Sequence, residues 1–186
     1  CFYSLLWFVF NPLILRKTLF DISPITAQSL NDAIETINVA IKVFRKKSLP
    51  IVCIQHINEA EKLIPGQTGF DLPDTLTIES TDTFIHKSYS NGFTKTNLEK
   101  SLKEMEIDTI IISGFCAEYC VLSTYRGAQD KDLTPVILRS SLASGIPENI
   151  KFVENISDII SLQALDKVLS WFFSFIITIR KVEWSI

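Results

Sequence analysis

The middle of the chain alternates short, continuously apolar runs with longer segments whose apolar residues recur at helical spacing. The apolar runs lie at residues 51–54, 83–85, 109–112 and 135–138, and a weaker candidate strand at 158–160 begins with Asp158. Unbroken apolar strands are typical of a parallel sheet that helices cover on both faces. The pattern therefore predicts an α/β domain with three layers (α/β/α) and a mainly parallel, Rossmann-like sheet of about six strands.

Between these runs, apolar residues recur at the spacing of an α-helix. Ser23 is suited to cap the first helix, Pro24 to occupy its first position, and the basic residues 45–47 to end it. A second helix is predicted over residues 98–105, a third after the 109–112 run, and a last short one through 162–168. The stretch 58–73, with one proline and two glycines before its final Pro73, predicts a long surface loop.

The two ends of the chain differ in composition from the middle. The three tryptophans lie at positions 7, 171 and 184, whereas all six glycines fall between residues 66 and 145. Residues 1–15 are uncharged but lack an initiating Met and a cleavage site, so we do not interpret them as a signal peptide. The apolar stretch 168–179 is shorter than the ~20 residues of a membrane-spanning helix. We expect one domain over residues 1–186, with atypical terminal segments at 1–16 and 170–186.

Charge and cysteine content narrow the class of partner. The net charge is −3 and 21% of residues are charged, so no positive field favours nucleic acid or an anionic membrane. Four cysteines, at positions 1, 53, 116 and 120, are too few and too unevenly placed for a disulfide scaffold. We expect a cytoplasmic homo-oligomer that acts on a small-molecule substrate, without nucleic acid or membrane as a partner.

The segment 114–121, which links the 109–112 strand to the next helix, carries the candidate nucleophile. Ligands of open α/β sheets bind at the carboxyl ends of strands, and this turn is one of those ends. Cys120 is predicted in the first helical turn, where N–H groups and the helix dipole favour a thiolate and can stabilise an oxyanion. A simply buried cysteine is the alternative, which we favour for Cys53 in mid-strand and leave open for Cys120. A redox pair of Cys116 and Cys120 is a third, weaker interpretation.

Lys87 is the second candidate, because it follows the 83–85 strand and could face the same crevice. A lysine near a thiol stabilises the thiolate and, when desolvated, can transfer a proton. The alternative is an ordinary solvated lysine in a loop.

These residues resemble the isochorismatase-like cysteine hydrolases, a family that includes nicotinamidases and N-carbamoylsarcosine amidohydrolases. The resemblance rests on Gly-x-x-x-x-x-Cys-Val after an Ile-rich strand, preceded by Lys87 and a Phe93…Thr96-x-Leu98 segment, and it covers roughly residues 17–169. It implies hydrolysis of a small amide, ester or vinyl ether by an Asp-Lys-Cys triad, without a cofactor. By position, Cys120 matches the nucleophile and Lys87 matches the lysine.

The resemblance also implies how the turn before the nucleophile is built. A cis peptide is expected between Phe115 and Cys116. Both residues would contact the substrate. The backbone N–H groups of Cys116 and Cys120 would form the oxyanion hole. Ala117 and Glu118 stand where many members have Thr and Asp, and this departure is not expected to touch the catalytic atoms.

One departure bears on activity. The first strand of the family ends in Asp-x-Gln, and the corresponding places in this chain fall near Ile14 and Arg16. Asp21 is the nearest carboxylate, but it is better placed to cap the helix at Ser23. The chain is therefore expected to be an impaired hydrolase or, alternatively, a non-catalytic remnant that binds ligands. We hypothesise that both termini are altered relative to a functional relative.

No metal is expected. Nicotinamidase-like members hold a divalent metal with an Asp and two His after the second strand, whereas this chain has only His56 and His86. We interpret His56 as a polar lining residue or a hydrogen-bond partner at a strand end.

Overall fold

A computed structural model describes residues 8–13 and 17–171, and its strands form one parallel sheet in the order β3-β2-β1-β4-β5-β6. The strands are β1 (Phe8–Leu13), β2 (Val52–His56), β3 (Thr83–Lys87), β4 (Thr109–Phe115), β5 (Thr134–Ala143) and β6 (Ile159–Ile160). The helices are α1 (Pro24–Lys46), α2 (Leu98–Glu104), α3 (Leu122–Gln129), α4 (Pro147–Asn155) and α5 (162–171). The prediction of a mainly parallel sheet of about six strands is confirmed.

Helices cover both faces of this sheet. Chain connections leave β1 and β4 in opposite directions along the sheet, and right-handed crossovers then put α1 and α3 on opposite faces. Residues 52–54 and 110–112 are buried throughout, as strands covered on both sides should be. The predicted cap of α1 is confirmed, since Ser23 Oγ accepts a hydrogen bond from the Thr26 N–H at 3.1 Å.

The structure differs from the sequence prediction in three places. Strand β5 continues beyond the predicted residues 135–138 to Ala143 and stays paired with β4. The added stretch contains polar residues, so a search for apolar runs does not detect it. Helix α4 was not predicted because, of its nine residues, only Val153 is buried. The 58–73 stretch is not a purely surface loop, because Leu63 and Phe70 are buried.

Several expectations concern residues that lie outside those described. They include the triad positions near Ile14 and Arg16, the segment 1–7 and the tail 172–186. Within the described residues, no helix is both long and apolar enough to cross a bilayer.

Candidate active site

The site lies where the strand order reverses. Strands β1 and β4 are neighbours, but the chain goes from β1 to β2 on one side and from β4 to β5 on the other. A crevice opens at the carboxyl ends of two such strands, and here Leu13 of β1 pairs with Gly114 of β4. Cys120 follows this point in a π-helical turn (Ala117–Val121) that leads into α3. Its predicted place at the start of the helix after β4 is confirmed.

The turn before Cys120 has a defined backbone geometry. The Phe115–Cys116 peptide is cis, as expected from the family resemblance. Gly114 has a φ of 112°, a left-handed conformation that favours glycine. The Cys116 carbonyl accepts hydrogen bonds from the N–H groups of Tyr119 at 3.2 Å and Val121 at 3.1 Å. These bonds fold the backbone on either side of Cys120 onto Cys116.

Lys87 ends β3, and its ammonium lies inside the protein. The residue is 1% exposed, so the alternative of a solvated loop lysine is wrong. Its Nζ donates to the carbonyls of Tyr89 at 2.8 Å and Ser90 at 2.6 Å, and it also makes a hydrogen-bond contact with Cys120. Burial lowers the pKa of Lys87 below its ordinary value, although the Coulombic attraction and hydrogen bond of Cys120 oppose that shift.

The loop that supplies these two carbonyls rests on α3. The Gly92 N–H donates to Thr124 Oγ1 at 2.9 Å, and Asn91 Oδ1 accepts from the Phe93 N–H at 2.9 Å. Gly127 leaves room for the Asn91 side chain, since a Cβ at this position would lie 2.2 Å from Asn91 Nδ2. The helix that follows the candidate nucleophile therefore also orients the lysine's hydrogen-bond acceptors.

The Phe93…Thr96-x-Leu98 segment has a structural role in the same loop. Thr96 Oγ1 donates to the Gly92 carbonyl at 2.6 Å and accepts from the Leu98 N–H at 3.3 Å. The side chain thus joins the start of α2 to the loop that follows β3.

Glu118 organises the other side of the turn, a role that the sequence analysis missed. Its carboxylate accepts hydrogen bonds from the Cys116 thiol at 2.9 Å, the Ser144 hydroxyl at 2.9 Å and the Asn149 amide at 2.8 Å. Burial acts to raise the pKa of Glu118, but hydrogen bonds, led by the one from Cys116, outweigh burial and lower it. Burial and the neighbouring Glu118 raise the pKa of the Cys116 thiol to about 12. A polar residue four positions after Gly114, in an exposed-looking turn, gives no signal of these partners in the sequence.

The three cysteines that the structure describes differ in environment. Cys53 lies in β2 and is 2% exposed, and its burial raises its pKa to about 12. This agrees with the interpretation of a simply buried thiol. Cys116 and Cys120 are partly exposed, and all three are free thiols.

The two histidines lie near the same edge of the sheet. His56 ends β2 and pairs in register with Lys87, and His86 packs edge-on against Phe70 with ring centroids 5.4 Å apart. Among residues 17–171, no three His, Cys, Asp or Glu side chains are grouped so as to hold a metal ion.

Among the cavities of the described residues, two lie between secondary-structure elements away from Cys120. One, of about 630 Å³, lies at the amino ends of β2 and β3, where Arg45 is bound to Asp82 at 2.6 Å. The other, of about 600 Å³, lies between α1, β5 and α4 and is mostly apolar. Neither contains the contact between Lys87 and Cys120.

The fold belongs to the class of doubly wound α/β proteins with a parallel sheet, and comparisons narrow this class to a family. The isochorismatase domain model matches residues 24–153, more than half of the chain. The chain therefore belongs to the isochorismatase family.

Curated relatives agree with this assignment. The uncharacterized isochorismatase family protein YrdC of Bacillus subtilis is 30% identical over 94 residues, which are 50% of this chain and 50% of YrdC. The N-carbamoylsarcosine amidase of an Arthrobacter species is 35% identical over 75 residues, 40% of this chain and 28% of the amidase. The matches thus span half or less of the length of these relatives.

Solved structures share the fold. An isochorismatase-like hydrolase from Alkaliphilus metalliredigens superimposes with a TM-score of 0.78 at 20% identity, covering 87% of this chain and 98% of the other. The N-carbamoylsarcosine amidase of Thermoplasma acidophilum superimposes with a TM-score of 0.70 at 18% identity, covering 84% and 95%.

Proposed function

We propose that this chain is a hydrolase of small amides, esters or vinyl ethers that acts through a covalent intermediate on Cys120. The observation that carries the proposal is the contact of the buried Lys87 ammonium with Cys120 at the carboxyl edge of the sheet. An ammonium beside a thiol stabilises the thiolate, which is the nucleophilic form. The relative named N-carbamoylsarcosine amidase supports an amide as the substrate class.

For an amide, the reaction takes two steps. The Cys120 sulfur attacks the carbonyl carbon, the C=O electron pair moves to oxygen, and the N–H groups of Cys116 and Cys120 stabilise that oxyanion. The C–N bond breaks as the pair returns, and Lys87 gives a proton to the leaving amine. Water then attacks the thioester, which releases the acid and the Cys120 sulfur, and a proton returns to Lys87.

The wall of the substrate pocket is assigned to Phe115 and Cys116. Phe115 ends β4 and is partly exposed, so its ring is available to an apolar part of a substrate. The cis peptide joins these two residues. No metal or other cofactor has a role in this chemistry.

Activity is proposed to be low, because Ile14 stands where the triad Asp is expected. A general base contributes about 10²–10⁴-fold to rate, so loss of this acid leaves a slow enzyme. The second candidate function is a non-catalytic remnant of the same fold that binds ligands, and the same absent carboxylate favours it.

We further propose a single domain over residues 1–186 that works in the cytoplasm as a homo-oligomer, with no nucleic acid partner. The mostly apolar groove between α1 and α4 supports the homo-oligomer, because Ile25 is 58% exposed and Ile146 is 55% exposed beside it. Sedimentation at several protein concentrations tests this, and a monomer throughout would contradict it.

The function is tested by turnover of a panel of amides and esters. The proteins compared are the wild type, Cys120→Ala as the blank, Cys53→Ala as a control for loss of a buried thiol, and Ile14→Asp with Arg16→Gln. We expect slow wild-type turnover, none in Cys120→Ala, and a gain of about 10²-fold or more in the double substitution.

Other outcomes discriminate between the candidates. Turnover retained in Cys120→Ala would overturn the nucleophile. Fast wild-type turnover would show that another acid, such as Asp21, serves as the base. No turnover in any variant would favour the remnant.

A further inference from the structure

The two cysteines of the turn face opposite charges. Cys120 contacts the ammonium of Lys87, whereas the Cys116 thiol donates to the Glu118 carboxylate at 2.9 Å. A cation favours the thiolate of its neighbour and an anion favours the protonated thiol. The turn therefore separates two thiols that lie only four positions apart in sequence.

The Glu118 carboxylate is held in place from a different part of the fold. Phe115 pairs with Ala143 in the β4–β5 ladder, which brings Ser144 beside the turn. The Ser144 hydroxyl donates to both Glu118 oxygens at 2.9 Å, and its own N–H donates to Ser29 Oγ of α1 at 3.1 Å. Ser144 is fully buried, so this anchor is not a solvated surface contact.

Asn149 completes the anchor. Its side-chain amide donates to Glu118 Oε1 at 2.8 Å, and it belongs to the first turns of α4. The Ile146 N–H, just before α4, also donates to Ser144 Oγ at 3.0 Å. Three donors from three segments thus converge on one carboxylate, and hydrogen bonds to an ionised acceptor are the stronger ones.

Cys116 is consequently held by hydrogen bonds to its carbonyl and from its side chain. Its carbonyl accepts from Tyr119 and Val121, and its side chain is bound to Glu118. The N–H assigned to the oxyanion hole belongs to this same residue, so the two attachments limit its movement. A donor of this kind acts only if its direction is set before the reaction.

We propose that Glu118 is a positioning residue that orients the Cys116 N–H toward the oxyanion and holds the Cys116 thiol as a hydrogen-bond donor, so that covalent chemistry is confined to Cys120. This inference rests on the proposed function of Cys120. It also implies that Cys116 is not a redox partner of Cys120, because a thiol held by a carboxylate is a poor nucleophile toward a disulfide or an oxidised sulfur.

Two reagents separate the parts of this proposal. Iodoacetamide alkylates a thiolate without forming an oxyanion, whereas p-nitrophenyl acetate acylates it through one. Both are applied at mildly alkaline pH, and peptide mass spectrometry measures the rate at Cys116 and at Cys120 separately. The variants are Glu118→Gln and, as a matched control, Glu148→Gln, which removes an exposed carboxylate of α4.

In Glu118→Gln, alkylation of Cys116 should rise about tenfold, because the neighbouring anion that favours the protonated thiol is removed. Acylation of Cys120 should fall about tenfold to a hundredfold, while its alkylation keeps the wild-type rate. Glu148→Gln should match the wild type in all rates. Ser144→Ala, which removes a donor and leaves the carboxylate, should lower acylation of Cys120 by a smaller factor.

The contrary results are also distinct. An unchanged Cys116 rate in Glu118→Gln, or equal loss of alkylation and acylation at Cys120, would overturn the proposal, since the second result indicates only a structural role. If wild-type Cys120 reacts with neither reagent, the proposed function fails, and the Cys116 rates still decide whether Glu118 holds that thiol.

Discussion

Substitution of Gly127 tests how the loop that holds Lys87 is seated on α3. A Cβ at residue 127 would lie 2.2 Å from Asn91 Nδ2 and 2.5 Å from Asn91 Oδ1, so Gly127→Ala must displace that side chain. Overpacking costs about 1–3 kcal/mol, and loss of the hydrogen bond from the Phe93 N–H to Asn91 costs about 1 kcal/mol more. Alanine gains about 1 kcal/mol over glycine inside a helix. Gly127→Ala should therefore destabilise the protein by about 2 kcal/mol.

The effect of Gly127→Ala on stability should change sign when the Asn91 side chain is removed first. In an Asn91→Ala background the three atoms nearest to a Cβ at residue 127 are removed, so Gly127→Ala should stabilise the protein by about 1 kcal/mol through helix propensity. The two substitutions then show a coupling of about 3 kcal/mol, at the upper end for residues in contact.

Urea unfolding of the wild type, the two single variants and the double variant measures this coupling. The rate of Cys120 alkylation in the same four proteins reports whether the seated loop matters to the site. An equal effect of Gly127→Ala in both backgrounds would refute the reasoning, because Asn91 would then not be the group that fills this space.

Two further predictions concern charged groups. Lys87→Met should lower turnover and slow Cys120 alkylation by about tenfold or more, since a neighbouring cation stabilises a thiolate; an unchanged rate would leave Lys87 with a structural role. Hydrogen bonds from Lys103 and then Lys131 lower the pKa of Glu99 from 4.5 to about 2, so its contribution to stability is present above pH 4.5 and is lost as pH falls toward 2. Glu99→Gln should remove that part of the acid dependence in unfolding curves recorded across this interval, and an unaltered dependence would contradict the assignment.

The sequence predicted the parts of the fold that depend on local pattern. Unbroken apolar runs marked buried strands such as β2, and the Ser23-Pro24 pair marked the start of α1, because both signals are local and strong. Helix α4 was not predicted because it buries little apolar surface.

The candidate site likewise has residues that the sequence predicts and residues whose roles it does not predict. The order of strand, turn and helix along the sequence predicts Cys120 and Lys87 at one edge of the sheet. The roles of Glu118 and Asn91 were not predictable, because their partners, Ser144 and Gly127, lie far along the chain and meet them only through the strand order.

The central claim is tested most directly by trapping the covalent intermediate. An amide or ester that the protein hydrolyses is mixed with it, the reaction is stopped with acid during turnover, and the adduct is located by peptide mass spectrometry. We expect a single acyl group on Cys120 that forms and decays at rates consistent with turnover, and no acyl group on Cys53 or Cys116. Turnover without an acylated Cys120, or an acyl group that accumulates on Cys116 instead, would contradict it.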